Sequence, residues 1–68
     1  MTKIKRIRME KGFTQRELAE ATGMSLRTLQ HYAHGSKDFN TAAAMTVYTV
    51  SQALGTSMEE LLDIPEEE

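Results

Sequence analysis

The sequence predicts an all-helical protein built from five short helices. Glycine and proline are sparse among the 68 residues and stand where helices would end. No alternating apolar run of the kind that forms a β-strand is present, and polar residues able to cap a helix precede several apolar stretches at helical spacing. A chain of this length is close to the smallest that a hydrophobic core alone can hold folded, so one domain is expected.

The first two predicted helices lie close together in the sequence. The first runs from Lys3 to Lys11 and has one face formed by Ile4, Ile7 and Arg8. The second begins at Thr14, a favourable N-cap, because Glu17 three residues later completes a capping box. It ends near Thr22, since Gly23 tolerates the left-handed conformation that closes a helix.

The third helix follows after a turn of about three residues. Ser25 is its N-cap, and it ends before Gly35 with an apolar face formed by Leu29, Tyr32 and Ala33. So short a turn does not let the two helices lie antiparallel and favours a crossing near a right angle. Residues 14–34 therefore form a helix-turn-helix, a motif whose second helix commonly lies in the DNA major groove.

The fourth helix is predicted from Ala42 to Leu54, with either Asn40 or Thr41 as its cap. Its inner face is an apolar stripe formed by Val47, Val50 and Leu54. Gly55 follows at the position that closes a helix in the left-handed conformation.

The fifth helix is predicted from a second capping box, formed by Ser57 and Glu60. Its buried residues are expected to be Met58, Leu61 and Leu62, and Pro65 ends it. We expect a single domain over residues 1–64 and a solvated acidic tail over residues 65–68.

Charge is distributed unevenly along the chain. The net charge is −2, yet all eight lysines and arginines lie at or before position 37. Only three acidic residues oppose them there, a local charge of +5, whereas seven acidic residues and no cation follow from Asp38 onward. Because a phosphate backbone responds to the local field rather than to the net charge, the basic half suits DNA.

Several classes of function are excluded. The absence of cysteine excludes disulfides and cysteine-based zinc sites and predicts an intracellular protein. No apolar run has the length of a signal peptide or a membrane span, so we expect no membrane partner. No catalytic set, phosphate loop, cofactor site or small-molecule site is recognisable, and His31 with His34 does not form a metal site.

The chain resembles the phage repressor and Cro family of DNA-binding domains, the XRE-type helix-turn-helix, through the run IKRIRMEKGFTQRELAEATGMSLRTLQHYAHG. The later run ALGTSMEELL resembles the close of that five-helix domain, so the resemblance covers about residues 3–63. It implies an all-α, lambda-repressor-like fold and control of transcription in a bacterium or phage. It also implies binding to double-stranded operator DNA as a two-fold dimer, in the cytoplasm at the nucleoid.

The resemblance implies two classes of DNA contact. Side chains that meet base edges match Ser25, Leu26, Arg27 and His31. Side chains that contact phosphates match Gln15, Arg16, Gln30, His34, Ser36 and Lys37. Arg27 is the strongest candidate, because a guanidinium donates two hydrogen bonds to guanine. Leu26 has two equal interpretations, contact with a thymine methyl or cover for the edge of the core. Gln15 is expected also to brace the third helix, which is the recognition helix of the motif.

The chain departs from the family at Ala33 and in the connection that follows. The family often has a glutamate at the position of Ala33, paired with the arginine that matches Arg8. We therefore expect Arg8 to bind water or a phosphate and the first helix to dock more loosely on the third. The connection from Gly35 to Val47 is longer than usual and contains one cation, Lys37, which predicts modest affinity for DNA.

An alternative function is a protein-interaction module of the same fold, of the antitoxin or anti-repressor type, with DNA binding weak or absent. The acidic second half of the chain favours it. For the DNA-binding protein a homodimer through helices four and five is expected, because Met45, Tyr48 and Leu62 offer more apolar area than one small core can bury. The alternative module would dimerise or dock on a partner through the same helices.

Overall fold

The computed structural model describes residues 2–63 of the chain. Its elements are α1 (Lys3–Glu10), α2 (Gln15–Thr22), α3 (Leu26–His34), a short 3-10 turn (Phe39–Thr41), α4 (Ala44–Leu54) and α5 (Met58–Leu61). The all-helical prediction is confirmed, since residues 2–63 contain no strand. None of these helices is long and apolar enough to cross a membrane. The predicted stop at Pro65 and the tail over 65–68 lie outside the described residues.

The capping boxes at the starts of α2 and α5 are confirmed. The Glu17 N–H donates to the Thr14 hydroxyl at 3.0 Å, and the Thr14 N–H donates to the Glu17 carboxylate at 2.9 Å. Ser57 and Glu60 make the same reciprocal pair at 3.2 and 3.3 Å. The backbone N–H donors hold the pKa of both carboxyl groups below their ordinary value. Both helix starts are thus fixed by contacts within three residues.

The turn between α2 and α3 is closed by glycine, as predicted. Gly23 has a φ of +75° and donates its N–H to the Ala19 carbonyl at 2.9 Å. A residue with a Cβ is strained in this left-handed conformation, so glycine lets α2 stop sharply. The Ser25 hydroxyl then accepts a hydrogen bond from the Thr28 N–H at 3.1 Å and starts α3.

One hydrophobic core joins all five helices. Leu18, Leu29 and Val50 have no exposed surface and lie at its centre. Around them are buried Ile4, Ile7, Ala19, Phe39, Val47, Leu54 and Leu61. Tyr32, Met58 and Leu62 are half-buried and pack against this core. The prediction that Met58 and Leu62 are buried together with Leu61 is therefore wrong in degree, because α5 is a four-residue helix at the edge of the core.

The start of α4 differs from the prediction. The helix begins at Ala44 rather than Ala42, and its N-cap is Ala43, whose side chain makes no capping hydrogen bond. Neither Asn40 nor Thr41 caps it. Thr41 belongs to the 3-10 turn and donates its hydroxyl to the Asp38 carbonyl at 2.7 Å. The residues expected to start α4 therefore form a separate turn.

Burial of Phe39 explains this extra turn. Phe39 is buried, and its ring meets the ring of Tyr32 on α3 edge-to-face, with centroids 5.0 Å apart. Asp38 caps the turn, because its carboxylate accepts from the Asn40 N–H at 2.9 Å. The connection from α3 to α4 is thus folded onto the core. The sequence analysis did not identify Phe39 as a core residue.

Candidate nucleic-acid interface

The N-cap and first turns of α3 carry all four side chains expected to meet bases, and three of the four are polar. Ser25 and Arg27 are exposed, and His31 lies half-buried one turn after Arg27 on the same face. Leu26 is half-buried and packs against the core, which supports its interpretation as cover for the core edge. The polar side chains of this helix face are thus accessible from solvent.

Gln15 and Gln30 join α2 to α3 across the motif. Gln15 is the first residue of α2, and its Oε1 accepts a hydrogen bond from Nε2 of Gln30 at 3.3 Å. This contact supplies the brace between the two helices that the resemblance implies. It also places two of the six predicted phosphate contacts side by side.

The other predicted phosphate contacts flank these two helices. Arg16 is exposed next to Gln15, and His34 is the exposed last residue of α3. Ser36 and Lys37 are exposed in the loop that follows. The Lys37 N–H donates to the His31 carbonyl at 3.2 Å, so this loop is attached to the end of the recognition helix.

The cations of this face have no acidic partner in the described part of the chain. Within residues 2–63 one ion pair occurs, between Lys3 and Asp63 at 3.6 Å. Arg16, Arg27 and Lys37 therefore remain available for an anionic ligand. The described residues also contain no group of three or more side chains suited to a metal ion.

The comparison with known families agrees with this geometry. A family model described as helix-turn-helix matches residues 4–61. The chain belongs to the helix-turn-helix family. No match was found among the curated proteins or the solved structures.

The order of five helices, with α2 and α3 as the motif, makes this helix-turn-helix protein an XRE-type domain with a lambda-repressor-like fold. It is a DNA-binding regulatory domain, because that is the activity of the family. The exposed face of α3 and the unpaired cations beside it are the features of this chain that suit the activity.

Arg8 of this helix-turn-helix protein has a partner that the sequence analysis did not identify. One of its terminal guanidinium nitrogens donates to the Phe13 carbonyl at 2.7 Å, rather than to the water or phosphate expected. Its Nε is buried and has no hydrogen-bond partner within the described residues. The start of α1 is held separately, because the Thr2 hydroxyl donates to the Ala33 carbonyl at 2.7 Å. Nε is therefore a donor that an acceptor on a neighbouring helix would satisfy.

Replacing Ala33 with glutamate is expected to raise the melting temperature. A carboxylate on α3 would restore the pair that the family makes with the arginine of α1 and supply an acceptor for Nε. Ala33 is buried, so the net effect is the hydrogen bond gained by a buried charged donor less the cost of burying the carboxylate. A net gain of about 1 kcal/mol corresponds to a rise of roughly 4–8 °C in a domain of this size. The melting temperature is measured by thermal unfolding monitored with circular dichroism. The gain should disappear in an Arg8→Met background, and an unchanged or lower melting temperature for Ala33→Glu alone would show that the pair does not form.

Proposed function

We propose that this protein is a sequence-specific transcriptional regulator of the Cro and repressor type, which binds operator DNA in the cytoplasm with α3 in the major groove. The observation that carries the proposal is the exposed start of α3, where Arg27 has no carboxylate partner within the described residues. A helix presented in this way fits the major groove, and a free guanidinium suits the paired acceptors of guanine.

Specificity and affinity come from different residues in this proposal. Ser25, Arg27 and His31 meet base edges, and Leu26, at the rim of the core, contributes an apolar contact to the bases. Gln15, Arg16, Gln30, His34, Ser36 and Lys37 contact phosphates on both sides of the groove. Phosphate contacts fix the register of a protein on DNA, whereas base contacts carry the sequence preference.

The second partner is another copy of this chain, bound through α4 and α5. Residues 39–58 contain no charged side chain. Within them two large apolar residues of α4 are exposed, Met45 at 70% and Tyr48 at 48%, and we call the surface around these two residues the uncharged patch of α4. A two-fold interface brings each patch against its own copy, so an uncharged patch avoids repulsion between like charges. A dimer then binds two half-sites about one helical turn apart.

Selection of sites from random duplex DNA tests this proposal. We expect an enriched, roughly palindromic sequence, and an affinity for it that falls linearly with salt on logarithmic scales. No enriched site together with a flat salt response would contradict the proposal. That outcome would favour the protein-interaction module, for which the uncharged patch of α4 would be the docking surface.

Replacing Gln15 with alanine is expected to weaken binding to all sequences about equally. A hydrogen bond to a charged phosphate contributes about 1.5 kcal/mol or more, so the affinity should fall about tenfold. The slope of affinity against salt should not change, because glutamine releases no counterion. Fluorescence anisotropy with the selected duplex and a scrambled one measures both. Met9→Ala on the exposed side of α1 is the control, because Met9 lies outside both α3 and α4. An altered base preference in Gln15→Ala would place Gln15 at a base edge instead.

A further inference from the structure

Asn40 joins two distant parts of the chain through both atoms of its side-chain amide. Its Nδ2 donates to the Asp63 carbonyl at 2.7 Å, and its Oδ1 accepts from the Asp63 N–H at 3.0 Å. The side chain therefore pairs with the backbone of Asp63 as a neighbouring strand would. Only a side chain that both donates and accepts can make this pair, and asparagine does so.

Lys3 ties α1 to the same point. Its Nζ donates to the Leu62 carbonyl at 2.9 Å and lies 3.6 Å from the Asp63 carboxylate. We call the group formed by Lys3, Asn40, Leu62 and Asp63 the clasp. It connects the start of α1, the 3-10 turn and the residues that follow α5.

The loop over residues 35–38, which carries Ser36 and Lys37, lies between α3 and the clasp. At its start, the Lys37 N–H donates to the His31 carbonyl at 3.2 Å. At its end, the Asp38 carboxylate accepts from the Asn40 N–H at 2.9 Å, so Asp38 links the loop to the clasp. Lys37 and Asp63 also line one cleft of about 330 Å³. The position of Lys37 thus depends on contacts at both ends of the loop.

We propose that Asn40 is a positioning residue for DNA binding, which holds Lys37 towards the phosphate backbone by fixing the end of its loop on Asp63. This inference rests on the proposed function. It adds that Asp63 supports the DNA-binding face through its backbone, although the charge of its side chain is unfavourable for DNA. Phe39 anchors the turn in the core through its ring, so loss of the Asn40 pair should leave the domain folded. The turn, and the loop joined to it, would then no longer be held in one orientation against Asp63.

A double-mutant cycle between Asn40 and Lys37 tests the inference. Wild type, Asn40→Ala, Lys37→Ala and the double variant are titrated with the selected duplex over a range of salt concentrations. Asn40→Ala should lower the affinity up to about eightfold at 0.1 M salt and reduce the salt slope by up to about 0.9, the contribution of one phosphate contact. The double variant should bind no more weakly than Lys37→Ala alone, because Asn40 acts through Lys37.

Ile7→Val is the control for stability. It removes one buried methyl group of α1 and should lower the melting temperature, but leave the salt slope unchanged, because Ile7 lies in the core and outside both proposed interfaces. Asn40→Gln, whose longer side chain misplaces the amide, should reproduce the loss of slope if Asn40→Ala does not fold. If the losses of affinity in the two single variants add in the double variant, or if the salt slope of Asn40→Ala is unchanged, the positioning role of Asn40 is overturned. The proposed function would stand in either case. Failure of the wild type to bind any duplex would overturn the proposed function and this inference with it.

Discussion

Replacing Arg27 with alanine is expected to remove the preference for one base pair in each half-site while leaving the salt slope nearly unchanged. A bidentate pair between a guanidinium and guanine contributes about 1–3 kcal/mol of discrimination, a factor of roughly 5–150 in affinity between the right and wrong base. A base contact displaces few counterions, so the salt dependence should remain. Titration of the selected duplex and of its single-base variants measures both quantities.

Two further variants locate the effect at the guanidinium of Arg27. Arg27→Lys keeps the charge but loses the planar pair of donors, so discrimination should still fall. Arg16→Ala is the matched control, because it removes an exposed cation of α2 and should reduce the salt slope by about 1 without altering base preference. If Arg27→Ala lost salt dependence and kept its base preference, Arg27 would be a phosphate contact.

Replacing Tyr48 with glutamate is expected to separate the proposed dimer and reduce affinity for a palindromic site by about 10²–10⁴. In the proposed two-fold interface the substitution would place a carboxylate on each side of the contact. Without the dimer, each half-site is bound separately, and the advantage of the second attachment is lost. Sedimentation equilibrium measures the mass, and titration of the full palindrome and of a single half-site measures the affinities.

Met9→Glu is the matched control for this experiment. Met9 is also a large exposed apolar residue, at 54%, but it lies on α1 and outside the α4 patch. The Met9→Glu variant should therefore still have the mass of a dimer. A wild-type protein that is monomeric while bound to the palindrome would contradict the dimer model, as would a Tyr48→Glu variant that remains dimeric.

The parts of the fold that were predicted depend on contacts between near neighbours in the sequence. The Thr14–Glu17 and Ser57–Glu60 boxes each span three residues, and Gly23 ends α2 through its own backbone conformation. Such features depend on residue type and spacing alone, so the sequence contains all the information that they need.

The connection from α3 to α4 was not predicted because its partners are distant. Phe39 becomes a core residue only once Tyr32 is placed beside it, and the amide of Asn40 finds Asp63 across 23 residues. With those partners unknown, Asn40 was interpreted, with Thr41, as one of two possible caps of α4. An aromatic residue between polar neighbours was the one signal that this connection is folded onto the core.

For the candidate interface, the exposure of Arg27 could be predicted from the sequence, but the way in which the side chains are held could not. The exposure of Arg27 follows from its position on an amphipathic helix. The family implied that Gln15 braces the recognition helix, but its partner, Gln30, was not predicted, because the hydrogen bond joins two helices. The partner of Arg8, the Phe13 carbonyl, was not predicted, because every residue has a backbone carbonyl and the residue types do not show which one is contacted.

Backbone amide shifts measured by NMR while the selected duplex is added test the central claim most directly. The account predicts that the largest changes occur at the start of α2, in the first turns of α3 and in the loop over residues 35–38. Residues of α4 that line the uncharged patch should change little when the free protein is already a dimer. Changes confined to α4 and α5, with none in α2 and α3, would contradict the claim that this helix-turn-helix binds DNA through α3.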